Sequence, residues 1–171
     1  YNWKARFINK EGYIITDEID AIVRAFDLAS ADADVVIATG GLGPTDDDLT
    51  RQGLAKFLGV ELELRDELLE KIESFFVSRN RQMPAKNKIQ ACIPAGAKAL
   101  ANIGTAPGIE AESQGKWFFA LPGVPSEMKR MFAESVLPEL QSFAGGQAVV
   151  VQKLHCFGEG ESTIAELLGT M

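Results

Sequence analysis

Apolar residues recur along this chain in two rhythms, a spacing of about 3.6 residues and short unbroken runs, which are the signatures of amphipathic helices and buried strands. Ile19, Ile22, Val23 and Phe26 stand at i, i+3, i+4 and i+7 and predict a helix that Asp17 can cap. Val35 to Ala38 follows as an apolar run and predicts a buried strand. Upstream, Trp3, Phe7 and Ile8 make a shorter helical stripe ending at Gly12, and Tyr13-Ile14-Ile15-Thr16 predicts a further strand. Alternation of this kind predicts an α/β domain. Because the chain opens on a helix, a short apolar strand and an acidic turn are expected immediately before Tyr1, beside the segment from Thr39 to Asp48.

Downstream, Leu54, Phe57 and Leu58 carry a helix that Gly59 can end, and Leu68, Leu69, Ile72, Phe75 and Phe76 mark another from about Asp66. Asn80 to Asn87 breaks the pattern. Pro94, Gly96, Gly104, Pro107 and Gly108 then punctuate a stretch long enough to be a functional loop. Ile109 to Glu112 and Trp117 to Leu121 flank Ser113-Gln114-Gly115-Lys116, which predicts a hairpin. Met128, Met131 and Phe132 resume helical spacing, and Val149 to Phe157 alternates as a strand does.

Candidate chemistry concentrates where strand gives way to helix. After Val35 to Ala38 come Thr39-Gly40-Gly41-Leu42-Gly43-Pro44-Thr45-Asp46-Asp47-Asp48-Leu49-Thr50. Glycines let backbone N–H groups approach a ligand closely, and a helix N-terminus favours negative charge, so the turn reads as an anion or phosphate site. Three aspartates beside a phosphate require a cation between them, and Mg²⁺ typically binds through one or two carboxylates plus substrate phosphates. The plainer alternative is a connector in which one aspartate caps the next helix. Leu121-Pro122-Gly123-Val124-Pro125-Ser126-Glu127 repeats the logic of strand, glycine turn and helix start. Ligands of open parallel sheets bind at the carboxyl ends of strands, so the two turns would form two walls of one site. The alternative is again a connector, with Glu127 complementing the helix dipole.

Composition narrows the classes. The chain has 171 residues, 46% apolar and 24% charged, which suits one globular domain. Its formal charge of −7 disfavours a broad nucleic-acid footprint. No apolar stretch approaches the roughly 20 residues that span a bilayer, and no signal-peptide pattern opens the chain, so a cytoplasmic protein without membrane contact is expected. Cys92 and Cys156 fit neither a CxxC metal site nor a disulfide framework and read as free thiols, and His155, the only histidine, reads as a strand residue.

Taken together these motifs resemble the CinA family (competence/damage-inducible protein), whose molybdopterin-binding-type domain is related to the MoaB/Mog fold. The resemblance rests on Thr39 to Thr45 with Asp47, Asp48 and Thr50; on Met83-Pro84 with Asn87, Gln90, Ala91 and Pro94; on Gly104-Thr105-Ala106-Pro107-Gly108; and on Leu121 to Met128. Four motifs in the family's order span nearly the whole chain. They imply a three-layer α/β/α domain with a mostly parallel sheet over residues 1–145, followed at 146–171 by a strand and helix, either a C-terminal extension or the start of a following segment. Asp48, Thr50 and Leu121-Pro122-Gly123 match the wider MoaB/Mog group, whereas Asp47, Ser126 and Glu127 look specific to CinA. Two departures stand out: the family's opening strand with its acidic turn is absent, as is a longer connection between Gly12 and Asp17. The amidohydrolase domain of many CinA proteins is not among these residues, so nicotinamide-nucleotide deamidation is not assigned to them.

The resemblance implies a Mg²⁺-dependent hydrolase of a nucleotide diphosphate, with ADP-ribose as substrate. Asp46, Asp47, Asp48 and Glu127 are the catalytic candidates, Asp46 or Glu127 orienting water while Asp47 and Asp48 hold Mg²⁺ or another divalent cation. Thr39, Gly40, Gly41, Leu42, Gly43, Thr45, Thr50, Pro122, Gly123, Ser126 and Lys129 are the substrate or phosphate candidates, and Lys86 is a weaker one. Two alternatives stay open: pterin-phosphate binding or adenylyl transfer in molybdenum-cofactor chemistry, and a non-catalytic ligand-binding or oligomerisation module. Either way the ligand is a small nucleotide or pterin phosphate, and a homo-oligomer is expected.

Overall fold

A computed structural model describes residues 14–143. The stripe at Trp3 to Ile8, Tyr1, the alternating segment at Val149 to Phe157 and the 146–171 extension lie outside the described residues.

The first helix, α1 (Ile19–Asp32), buries Ile22 and Phe26, two members of the predicted stripe. Its N-cap is Glu18 and no side chain caps it, so Asp17 stands one residue too early for the expected role. At its other end the Lys116 ammonium donates to the carbonyls of Ser30 and Ala33, satisfying acceptors that a helix C-terminus leaves free. Strand β1 (Val35–Thr39) follows, then α2 (Thr50–Leu58), which Gly59 ends in the left-handed conformation at φ 69°. Next come β2 (Leu62–Leu64) and α3 (Asp66–Val77). The stretch that broke the helical pattern resolves into a 3₁₀ helix (Ala85–Ala91), β3 (Cys92–Pro94) and β4 (Lys98–Ala99). The predicted hairpin is present as β5 (Ile109–Ser113) and β6 (Lys116–Leu121). Gln114 and Gly115 both take positive φ, 54° and 74°, as a tight turn matched to strand twist requires. The chain continues through α4 (Pro125–Met131), a π turn (Phe132–Val136) and α5 (Leu137–Phe143).

Four strands form one sheet in the order β1-β6-β5-β4, and β2 pairs β3 separately. Only β1 and β6 run parallel; β5 is antiparallel to both β6 and β4, so the sheet is mixed over the described residues. Alternation along β6 divides the core. Phe118 and Ala120 join Ile22, Phe26, Leu54, Leu68 and Ile72 on one face, while Phe119 and Leu121 join Met131, Val136 and Leu140 on the other. Helices therefore cover both faces, and the three-layer α/β/α architecture follows from the period-two alternation of a single strand.

The predicted strand at Tyr13 to Thr16 is corrected for its described part. Residues Ile14, Ile15 and Thr16 pair with no strand, and Ile14 is fully exposed. A short apolar run acquires strand geometry only where a neighbour offers a free ladder of N–H and C=O groups. Among the described residues β1 pairs on one side alone, with β6, and its Ile37 is 41% exposed.

Candidate active site at two glycine turns

Strands β1 and β6 run in register from Val35 beside Trp117 to Thr39 beside Leu121, so they end together and release their turns at the same edge. The Gly40 N–H donates to the Leu121 carbonyl at 2.9 Å. A Cβ placed on Gly123 would stand 3.3 Å from Gly40 Cα. The two turns thus lie against each other at the carboxyl ends of a parallel pair, where α/β sheets take ligands. Gly40 and Gly41 adopt φ of 94° and 68°, a conformation side chains rarely take, and a Cβ on Gly41 would overlap the Thr50 hydroxyl. Thr50 is the first residue of α2, and its N–H donates to the Gly41 carbonyl at 3.1 Å.

The acidic residues separate into three roles. Asp48 folds back on its own turn: its Oδ2 accepts from the Thr45 N–H at 2.9 Å and the Thr45 hydroxyl at 2.5 Å. Burial pushes its pKa up, yet the hydrogen bonds from Thr45 and the Gly43 backbone, with the Arg51 charge, outweigh burial and hold the carboxyl below its usual value. Leu49 is the N-cap of α2 and no side chain caps that helix, so the plain capping role is not what the aspartates do. Asp46 reaches across to Lys86 of the 3₁₀ helix at 3.3 Å, both side chains well exposed. Asp47 is exposed. Between the acidic turn and the 3₁₀ helix lies a cavity of ≈ 310 Å³ lined by Thr45, Asp46, Asp48, Gln52, Lys86 and Ile89, with Pro44.

Glu127, in the first turn of α4, is half-buried against Gly104, where a Cβ would overlap its carboxylate. The 101–108 loop is thereby tied to the second glycine turn. It is tied to the first by Gln90, whose Nε2 donates to the Thr105 hydroxyl at 3.2 Å and to the Leu42 carbonyl at 3.4 Å. Asn87 completes this buried group by donating to Gln90 Oε1 at 2.7 Å. All four sequence motifs therefore meet. Pro122 is buried, while Ser126 and Lys129 are exposed on the outer side of α4. Among the described residues no hydrogen bond links Glu127 with Asp46, Asp47 or Asp48.

Sequence reasoning missed Arg51. Its guanidinium is 1% exposed and donates to the carbonyls of Leu42 at 2.5 Å and Gly43 at 3.2 Å. Desolvation by burial lowers its pKa to about 10, against the opposing pull of the Asp48 charge. A signal was available: Arg51 falls on the apolar stripe of α2, three and seven residues before Leu54 and Leu58.

Among the described residues no group of three or more His, Cys, Asp or Glu side chains is placed to hold a metal by itself. Asp47 and Asp48 adjoin the turn and fit a hard cation that arrives with phosphate oxygens completing its shell. Cys92 is a free, half-buried thiol; His155 and Cys156 lie outside the described residues.

Residues 7–142 match the family described as a probable molybdopterin binding domain. A CinA-like protein of Frankia casuarinae is 46% identical over 163 residues, covering 91% of this chain and 37% of the relative. A CinA-like protein of Thermomicrobium roseum is 41% identical over 153 residues, covering 89% of this chain and 38% of the relative. The crystal structure of the protein CinA from Thermoplasma acidophilum is similar at 33% identity and a TM-score of 0.66, over 72% of each chain. The chain spans well under half the length of the Frankia and Thermomicrobium relatives.

Proposed function

The chain belongs to the probable molybdopterin binding domain family, in its CinA-like branch, and on that footing we propose that it binds a nucleotide diphosphate across the two glycine turns and hydrolyses it with Mg²⁺. The observation that carries the reading is the contact of Gly123 with Gly40 at the ends of β1 and β6, with Asp46, Asp47 and Asp48 on the same turn. Backbone N–H groups hold the phosphates, and Asp47 and Asp48 hold the cation. Mg²⁺ supplies neutralisation of charge on phosphate oxygens when bound. Asp46 or Glu127 orients a water whose oxygen adds to phosphorus; the P–O–P bond breaks, the bridging oxygen leaves with the other phosphate, the water's proton passes to solvent, and a diphosphate esterified at both ends gives two phosphomonoesters. Asp46 pairs with Lys86 at the surface, and the Glu127 carboxylate lies against Gly104. ADP-ribose is the substrate that the CinA-like relationship favours.

One observation favours a second reading, in which the same turns bind a pterin phosphate or transfer an adenylyl group to it: the matched family is described as molybdopterin-binding. The two readings separate in one experiment. The protein is mixed with ADP-ribose, ATP or a molybdopterin-like ligand, each with and without Mg²⁺, and thermal stability and phosphate-ester products are followed. Ligand binding to the native state raises apparent stability by mass action. Mg²⁺-dependent stabilisation by ADP-ribose with release of AMP supports the hydrolase; stabilisation by the pterin ligand alone supports the second reading. Binding without turnover in every mixture leaves a ligand-binding module. The homo-oligomer proposed with either reading is checked by sedimentation.

A further inference from the structure

Three consecutive carbonyl oxygens of the first glycine turn are all engaged from beneath. Gly41 O accepts from the Thr50 N–H, Leu42 O from Arg51 and Gln90, and Gly43 O from Arg51. In a trans peptide the N–H points opposite to the C=O of the preceding residue, and none of the peptide bonds described is cis. Engagement of the Gly41 oxygen therefore turns the Leu42 N–H away from α2. Among the described residues neither the Gly41 N–H nor the Leu42 N–H meets an acceptor. Left free, the Leu42 and Gly43 oxygens could rotate to the same face and present negative charge to a phosphate.

We infer that Arg51 is a positioning residue: its guanidinium holds the Leu42 and Gly43 carbonyls under the turn, so that neither oxygen is presented to the phosphate that the Gly41 and Leu42 N–H groups would meet. The inference rests on the phosphate role proposed for this turn. Stability alone does not account for such a residue. Removing a guanidinium from water is expensive, and its Nε meets no acceptor among the described residues. The planar fork matches two carbonyls at once, which an ammonium does not reproduce. Its charge also lies under the turn, where it adds to the field that attracts an anion.

The test compares wild type with Arg51→Met and Arg51→Lys in the 171-residue chain, using inorganic diphosphate with Mg²⁺ as the probe. Binding is measured by calorimetry, thermal midpoint by scanning, and amide hydrogen exchange at Gly43 by NMR. Arg51→Met is expected to lower the midpoint, because the Gly43 carbonyl loses its donor, to exchange faster at Gly43, whose N–H shares a peptide plane with the Leu42 carbonyl, with β1 and β6 unchanged, and to bind diphosphate at least about tenfold more weakly, the scale of a lost charge-assisted hydrogen bond. Arg51→Lys, which keeps the charge and loses the fork, is expected to fall between. Unchanged affinity in either folded variant overturns the inference, as does weaker binding by Arg51→Met with unchanged exchange at Gly43. Should Arg51→Met not fold, the affinity and exchange of Arg51→Lys decide alone. Wild type that binds no diphosphate overturns the phosphate reading itself, and the role of Arg51 with it, a result visible before any variant is made.

Discussion

Gly123 lies against Gly40, so close that a methyl group on the first would press on the backbone of the second at 3.3 Å. Two strand ends separated by more than eighty residues in sequence are brought within van der Waals reach because β1 and β6 are parallel neighbours. The space between their turns is defined by backbone atoms on both sides.

Substitution at either glycine is expected to weaken nucleotide binding. Gly41→Val places a branched side chain at φ 68° and on the Thr50 hydroxyl, so it is also expected to destabilise the fold, by about 1–2 kcal/mol for the left-handed conformation alone. Gly123→Val requires no unusual φ and leaves more of the stability intact. Calorimetric titration with a nucleotide diphosphate checks both. If Gly123→Val binds as wild type does, the second turn is structural and the site has one wall.

Asp48 links the site to acid stability. Its folded-state pKa lies below the usual 3.8, so its contribution to stability is fully present above pH 3.8 and is lost as pH falls through the lower folded value. Asp48→Asn removes that contribution, and the stability difference from wild type is expected to shrink below pH 3.8 in urea titrations across the acid range. At neutral pH the variant is expected to keep its secondary structure, since Asn can still accept one Thr45 bond, and to lose Mg²⁺-dependent turnover. Retained metal dependence would remove Asp48 from the cation site.

Glu127 and Gly104 make a sharper test of the catalytic proposal. A methyl group at position 104 overlaps the Glu127 carboxylate, the movable end of a flexible side chain, so Gly104→Ala is expected to displace the carboxylate with little loss of stability. If Glu127 orients water, Gly104→Ala and Glu127→Gln both lower kcat while KM changes little. If Asp46 has that role, only Asp46→Asn lowers kcat, and the surface pair with Lys86 contributes at most about 1 kcal/mol to stability.

Gly53 reports on the scaffold independently of the site. It allows α1 and α2 to approach so closely that a Cβ there would overlap the Ile22 side chain. Gly53→Ala is expected to destabilise by about 1–3 kcal/mol through overpacking, and by less in an Ile22→Ala background, where the Cγ2 that the new Cβ would overlap is gone. Additive effects in chemical denaturation would show that the two positions do not share the space.

Periodicity and punctuation alone were sufficient for most elements: α2 ending at Gly59, α3 from Asp66, the hairpin turning at Gln114-Gly115, and α4 opening on Pro125. These are local choices, decided by side-chain spacing and by which residues tolerate positive φ. The motifs of the candidate site were legible for the same reason, because a glycine turn between a strand and a helix announces itself in twelve contiguous residues. Tertiary structure decided the rest. Whether Ile14 to Thr16 forms a strand depends on a partner ladder, which no property of these three residues contains. Whether Asp48 caps a helix or closes a turn depends on where Thr45 folds back, a difference of a few ångströms with no counterpart in composition. Arg51 looked like one more charge on a helix; only the packing of α2 beneath the turn buried it and aimed it at Leu42 and Gly43. The sequence determined the elements and the chemistry at their ends, because those follow from neighbours along the chain. Which ends meet, and which charge lies under them, was decided by long-range packing, where burial converts an ordinary side chain into a fixed one.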